Sequence, residues 1–216
     1  MGALVAIEGL DGAGKATLTA GLVAAAGEQG ARVSTLAFPR YGASVAADLV
    51  AEALRGEHGD LGGSVRAMAV LFALDRAGAA DELRGLLATH DLVLLDRYAA
   101  SNAAFGAARS HQDADGPFVE WVRRLELGRL GLPVPDLHVL LRVDPGVAGD
   151  RAAQRSGADP ARDRDAFERD ASLQQRTAVV YDGLAQRSWV SPWQVVDGGG
   201  STGAAVEAVL DRLGAR

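Results

Sequence analysis

Apolar residues in this chain gather in short unbroken runs rather than alternating ones. Residues 4–7 (Leu-Val-Ala-Ile), 33–38, 92–95, 137–143 and 193–196 each read as a strand covered on both faces, the pattern of a parallel sheet lying between helices. Pro39 cuts the second run, Asp96-Arg97 ends the third, and Asp197 with three glycines stops the last. Between the runs the spacing turns helical. Leu18 and Leu22 lie one turn apart in a helix expected over about 17–29; Val65, Met68, Leu71, Phe72 and Leu74 mark another over 64–83; Val119, Val122, Leu125 and Leu127 mark a third over about 118–130. Strand followed by helix, repeated, predicts a three-layer α/β fold. Periodicity leaves the strand order open, and no tandem repeat interrupts the pattern.

One segment departs from this scheme. Residues 149–170 carry arginines at 151, 155, 162, 164 and 169 and acids at 150, 159, 163, 165, 168 and 170, with Phe167 the only large hydrophobic residue. Such a stretch buries little and opens at low free-energy cost. A solvated excursion and a lid over a substrate both fit it, with Gly157, Asp159 and Pro160 as the expected tip.

Composition then removes classes of function. At 216 residues the chain suffices for one compact domain with its own core. It has no cysteine, so disulfides, thiolate zinc sites and cysteine nucleophiles are excluded. Twenty-two basic against 28 acidic residues give a net charge of −6 with neither sign gathered in a tail, a poor general surface for bulk nucleic acid. No apolar run approaches the roughly 20 residues that span a bilayer, and no signal-type segment opens the chain, so no membrane role and a cytoplasmic address are expected. His58, His90, His111 and His138 show no ligand spacing to one another.

The chemistry is concentrated where the first strand stops. Gly9-Leu10-Asp11-Gly12-Ala13-Gly14-Lys15 fits the first seven positions of the phosphate-loop pattern, between a strand and a helix. Glycines let consecutive backbone N–H groups wrap around phosphate oxygens, the helix offers its N-terminus, and Lys15 supplies a cation. The eighth position breaks the pattern. Ala16 stands where a serine or threonine hydroxyl usually meets magnesium, and replacement in place by the adjacent Thr17, about 100° further round the helix, does not follow. Magnesium is then expected on Asp11 and on Asp96 at the end of the third apolar run, directly or through water. Arg97, Arg40 and arginines of the 149–170 segment are candidate phosphate clamps. An acceptor that is itself a phosphate needs no dedicated base.

With the phosphate loop, Phe38-Pro39-Arg40-Tyr41, Asp96-Arg97-Tyr98 followed by Ser101-Asn102, and Glu168-Arg169-Asp170 in this order, the chain resembles bacterial thymidylate kinase, especially the actinobacterial form. The similarity runs from the first strand past Gln174-Gln175-Arg176-Thr177. The resemblance implies a P-loop kinase fold with a five-stranded parallel sheet and a short lid, ATP as donor, dTMP as acceptor, Mg2+, and a homodimer. It implies that residues 9–17, among them Gly9, Gly12, Ala13, Gly14, Lys15, Ala16 and Thr17, hold ATP together with Arg151 and Arg155. It places Asp11, Phe38, Pro39, Arg40, Tyr41, Phe72, Arg76, Arg97, Asn102, Phe105, Asp165 and Glu168 around dTMP, with Phe72 stacking on thymine and Arg76 at its edge. Lys15, Asp11, Arg97 and Arg155 are the expected catalytic residues; Glu168 joins Asp11 and Asp96 as a candidate magnesium group.

The residues leave plainer readings beside these. Phe72 lies on an apolar helix stripe and equally suits a core position; Arg40 and Arg97 suit salt bridges; Asp165 and Glu168 suit a helix N-terminal region. Two departures from the family pattern carry consequences. Ala16 and Ala153 replace basic residues of some members, which shifts transition-state charge compensation toward Arg155. Phe105 replaces a tyrosine near the sugar, so a ribose 2′-OH is rejected by crowding rather than by a hydroxyl contact. Another nucleoside-monophosphate kinase, or a nucleotide-dependent switch or assembly protein, remains the alternative reading.

Overall fold

The computed structural model describes residues 2–158, 167 and 170–214, with the backbone alone for 155–158. Five strands form one parallel sheet: β1 (Ala3–Glu8), β2 (Val33–Ala37), β3 (Leu92–Asp96), β4 (Leu137–Arg142) and β5 (Trp193–Asp197), in the order β2-β3-β1-β4-β5. The helices are α1 (Lys15–Glu28), α2 (Val45–Leu54), α3 (Val65–Gly78), α4 (Ala80–Thr89), α5 (Ala99–Arg109), α6 (Pro117–Arg123), α7 (Pro145–Ala158), α8 (Ala171–Gln186) and α9 (Thr202–Gly214), with a π-helical turn over Arg124–Arg129.

The unbroken apolar runs have the expected cause. In β1, Val5 and Ile7 face α1 and α9, packing with Leu18, Leu22, Val206 and Val209, while Leu4 and Ala6 face the opposite layer with Leu83 and Leu87 of α4. Leu92 and Leu94 of β3 divide from Val93 and Leu95 in the same way. Only the edge strands β2 and β5 keep substantial exposure.

The helix expected over 64–83 is two helices. At the break, Arg40 reaches in from the β2–α2 loop and its Nη2 donates to the Asp75 carbonyl at 2.7 Å, the acceptor that the N–H of residue 79 would meet in a continuing α-helix. That N–H turns to the Arg76 carbonyl at 3.0 Å, and the chain restarts as α4. The helix over 118–130 likewise changes form: the N–H of Leu130 donates to the Leu125 carbonyl at 2.9 Å, one residue further back than in an α-helix. Helix α7 runs through Gly157, which therefore lies within a helix and not at the tip of a turn.

The parallel direction brings the C-terminal ends of β1, β3 and β4 to one edge. Ile7 pairs with Asp96, so the loop after β1 and the loop after β3 leave the sheet side by side. Crevices at that edge of an open α/β sheet are where ligands bind.

Candidate active site

The loop between β1 and α1 is built around glycines that no other residue replaces. Gly12 has φ +85°, and a Cβ there would stand 2.0 Å from the carbonyl oxygen of Ala148 in α7; Gly9, at φ +144°, would bring one to 2.7 Å from the Leu141 carbonyl. The loop is thus pressed between α1 and α7. Gly14 precedes α1 in a left-handed conformation and no side chain caps the helix, so its first N–H groups point open toward the loop.

Lys15 lies 8% exposed beneath this loop. Its Nζ donates to the carbonyls of Leu10 at 3.0 Å and Gly9 at 3.3 Å and sits 4.0 Å from Asp11. Burial, reinforced by the charge of Arg97, pushes its pKa down from 10.5 to about 8 against the pull of Asp11, Asp96 and Glu8. This is a lysine short of anions, in a place that an anion would relieve.

Arg97 follows β3 with φ +67°, a left-handed conformation costly for a bulky residue. Two bonds fix it: its N–H donates to Ile7 O at 2.9 Å, and the next N–H, of Tyr98, donates to Glu8 Oε1 at 2.9 Å. The twist aims the guanidinium across the β1–β3 crevice, where Nη2 pairs with Asp11 and Nη1 donates to Ser101 Oγ at 3.1 Å. Burial opposes its charge, but Asp11, Asp96 and Glu8 outweigh that and raise its pKa further.

Beneath Arg97 lies a buried hub that sequence reading missed. Glu8 is fully buried at the end of β1; Ser101 Oγ donates to its Oε2 at 2.6 Å, and the Tyr181 hydroxyl donates to the same oxygen at 3.0 Å. Burial raises the Glu8 pKa, and burial raises that of Tyr181 well above 10.0. An acid closing an otherwise apolar strand immediately before a glycine loop was the visible signal.

Asp96 lines a groove of about 470 Å³ with Ala16, Thr19, Ala20 and residues 35–37. Its Oδ1 is buried and makes no hydrogen bond among the described residues. Ala16 and Thr17 are both solvent-exposed. Among the described residues no group of three carboxylate or imidazole side chains gathers to cage a cation.

The remaining predicted residues fall into two groups. Phe38 is buried against Tyr98 at 6.0 Å, and the Arg40 guanidinium stands 5.9 Å from the Phe38 ring. Arg40 is committed to Asp75, through Nε at 3.0 Å and its own N–H at 2.9 Å, so it braces the 38–41 loop. Tyr41, next to it, is half exposed. In the second group Arg76 and Asn102 meet at the buried carboxylate of Glu126, and Phe72 packs partly exposed against Val50, Leu54 and Met68. Phe105 stands edge-on to Tyr181 at 6.4 Å with Arg97 5.3 Å above its ring, joining Arg97 to this second group. Arg151 gives Nη1 to the Gly198 carbonyl at 2.9 Å. The side chain of Arg155, and Asp165 and Glu168 entirely, lie outside the described residues.

A parallel sheet, a glycine loop opening on an uncapped helix, and a lysine and arginine converging on one acid define a phosphate-loop phosphotransferase. Comparison with known proteins narrows this. The thymidylate kinase family model matches residues 7–207. Thymidylate kinase of Mycobacterium tuberculosis is 58% identical over 193 residues, covering 89% of this chain and 90% of the relative. Thymidylate kinase of Bifidobacterium longum subsp. infantis is 31% identical over 231 residues, 99% and 94% of the two chains, and that of Danio rerio 28% over 200 residues, 91% and 82%. The chain belongs to the thymidylate kinase family.

Proposed function

We propose that this site transfers the terminal phosphoryl group of ATP to the 5′-phosphate of dTMP, giving dTDP and ADP. The observation that carries the reading is the convergence of Lys15, Asp11 and Arg97 at the joined ends of β1 and β3. Phosphoryl transfer asks for alignment and charge cancellation, and this is an alignment of fixed charges. ATP phosphates take the loop N–H groups of residues 9–15 and give Lys15 further anions beside Asp11. The acceptor phosphate takes Arg97, which Asp11 and Ser101 hold in place beforehand. Its attacking oxygen is ionised near neutral pH, so no side chain need remove a proton.

Asp96 and Asp11 are the residues suited to magnesium. An orphaned, buried Asp96 Oδ1 beside the loop fits a cation or a water of its shell, and one or two carboxylates are what magnesium takes from a protein when phosphates supply the rest. Bound there, the metal would neutralise charge on the donor phosphates. Glu168 joins them if the 168–170 segment folds inward. Residues 149–170 serve as the lid, with Arg151 and Arg155 above the transferring group and water excluded on closure. Phe38, Pro39, Arg40, Tyr41, Phe72, Arg76, Asn102, Phe105 and Asp165 form the nucleoside pocket.

Among the described residues no helix is long and apolar enough to cross a membrane. We read the protein as cytoplasmic and homodimeric. Val45 and Leu74, 77% and 47% exposed on α2 and α3, are apolar surface that a second copy would cover, and a mass of one chain at working concentrations in sedimentation would remove the dimer.

Coupled ADP release with ATP and Mg2+, run in parallel with dTMP, dUMP, UMP, CMP, AMP and GMP, tests the reaction. Strong stimulation by dTMP with dTDP identified by mass is expected. Dominance of another monophosphate would overturn the pocket assignment, and no acceptor-stimulated turnover would favour a nucleotide-dependent switch.

A further inference from the structure

Glu126 has no part in the chemistry described so far, yet it is completely buried and both its oxygens are used. Arg76 Nε donates to Oε2 at 2.6 Å and Arg76 Nη2 to Oε1 at 2.8 Å; Asn102 Nδ2 donates to the same Oε1 at 2.7 Å. The second hydrogen of Asn102 Nδ2 goes to the Ala69 carbonyl at 2.9 Å. A carbonyl and a carboxylate can only accept, so the amide cannot turn over, and its Oδ1 is left facing the other way. That oxygen and Arg76 Nη1 make no hydrogen bond among the described residues. Glu126 faces inward from the π-helical turn, four residues after the buried Val122, while Arg124 is 67% exposed.

We infer that Glu126 is the positioning residue that sets base selectivity, because with the Ala69 carbonyl it turns Asn102 to present an acceptor, and it holds the Arg76 guanidinium so that a donor stands beside that acceptor. This rests on the reading that Arg76 and Asn102 line the base pocket. An acceptor beside a donor complements the N3–H and O4 of an imide pyrimidine, thymine or uracil. Cytosine inverts both groups, meeting Asn102 Oδ1 with a lone pair and Arg76 with an amine. A site built for one pattern leaves buried polar groups unpaired by the other, which is the strongest form of discrimination hydrogen bonds provide.

The test is the ratio of kcat/KM for dTMP to that for dCMP in the parent, Glu126→Gln, Glu126→Asp and Asn102→Ala. Glutamine offers one acceptor and one donor, so with its acceptor on Arg76 its amine opposes that of Asn102, and the Ala69 carbonyl alone is left to hold the Asn102 Oδ1 toward the base. Glu126→Gln is expected to lower the ratio at least tenfold, chiefly through a higher KM for dTMP with kcat within a few-fold of the parent. A purely structural role would reduce active enzyme equally for both nucleotides and leave the ratio unmoved. If Glu126→Gln does not fold, Glu126→Asp, which keeps the charge for Arg76 but shortens its reach, decides by the same ratio. A ratio within twofold of the parent in the folded Glu126 variant overturns the inference; if Asn102→Ala still shifts the ratio, the base-pocket reading survives that failure. An unmoved ratio in Asn102→Ala overturns both.

Discussion

Removing the loop cation should make the empty protein more stable. Lys15 is charged at pH 7 in the folded and unfolded chain alike, but in the fold it is pressed under carbonyls with Arg97 nearby. The difference between 10.5 and about 8, at about 1.4 kcal/mol per pH unit, means that folding with a charged Lys15 costs about 3 kcal/mol. Lys15→Met fills the same space without charge. It also forfeits the bonds to Leu10 and Gly9, at about 1 kcal/mol each. The net expectation is a gain of about 1 kcal/mol, or about 2–4 °C in Tm for a chain of this size, measured by urea and thermal unfolding without nucleotide. Turnover should fall at least about a hundredfold, and ATP, which stabilises the parent by mass action, should stabilise the variant less. The pH dependence gives the sign. Between about pH 8 and 10.5 the unfolded lysine holds its proton while the folded one has released it. Parent stability therefore rises with pH there, and the variant's advantage shrinks. A variant clearly less stable than the parent at pH 7, or a difference unchanged from pH 7 to 9.5, would refute the reasoning.

Glu8→Leu strips the acceptor from Tyr98 N–H, Ser101 and Tyr181 together, and about 3–5 kcal/mol of stability should be lost in urea unfolding. His138 is buried, stacked on Trp193 at 4.6 Å, with Nε2 lacking a partner among the described residues; burial pushes its pKa down to about 3. Because the unfolded histidine charges near 6.5 and the folded one does not, stability is full above that pH and falls by about 2 kcal/mol on going from pH 7 to 5, a slope His138→Phe should remove. Arg155→Ala should reduce kcat by more than Arg151→Ala, since Arg151 already gives one nitrogen to Gly198 and the basic position between them is Ala153. Equal effects in steady-state kinetics would count against Arg155 as the main lid charge.

The layered fold was legible along the chain because a parallel sheet covered on both faces demands unbroken apolar runs, and those runs fall where β1 to β5 lie. The phosphate loop was legible for a similarly local reason: Gly9, Gly12 and Gly14 take positive φ values that only their sequence spacing needs to announce. What the tertiary structure decided are the partnerships between distant residues. Strand order depends on crossovers that periodicity does not encode. The break after Gly78 falls where Arg40, thirty-odd residues earlier, donates to the Asp75 carbonyl. Glu126 reads as an ordinary acid in sequence, and Glu8 is marked there only by its place at the end of an apolar run. They became a hub and a positioning group only when folding surrounded them with donors from α3, α5 and α8, since a buried carboxylate acquires its role from what it is made to accept.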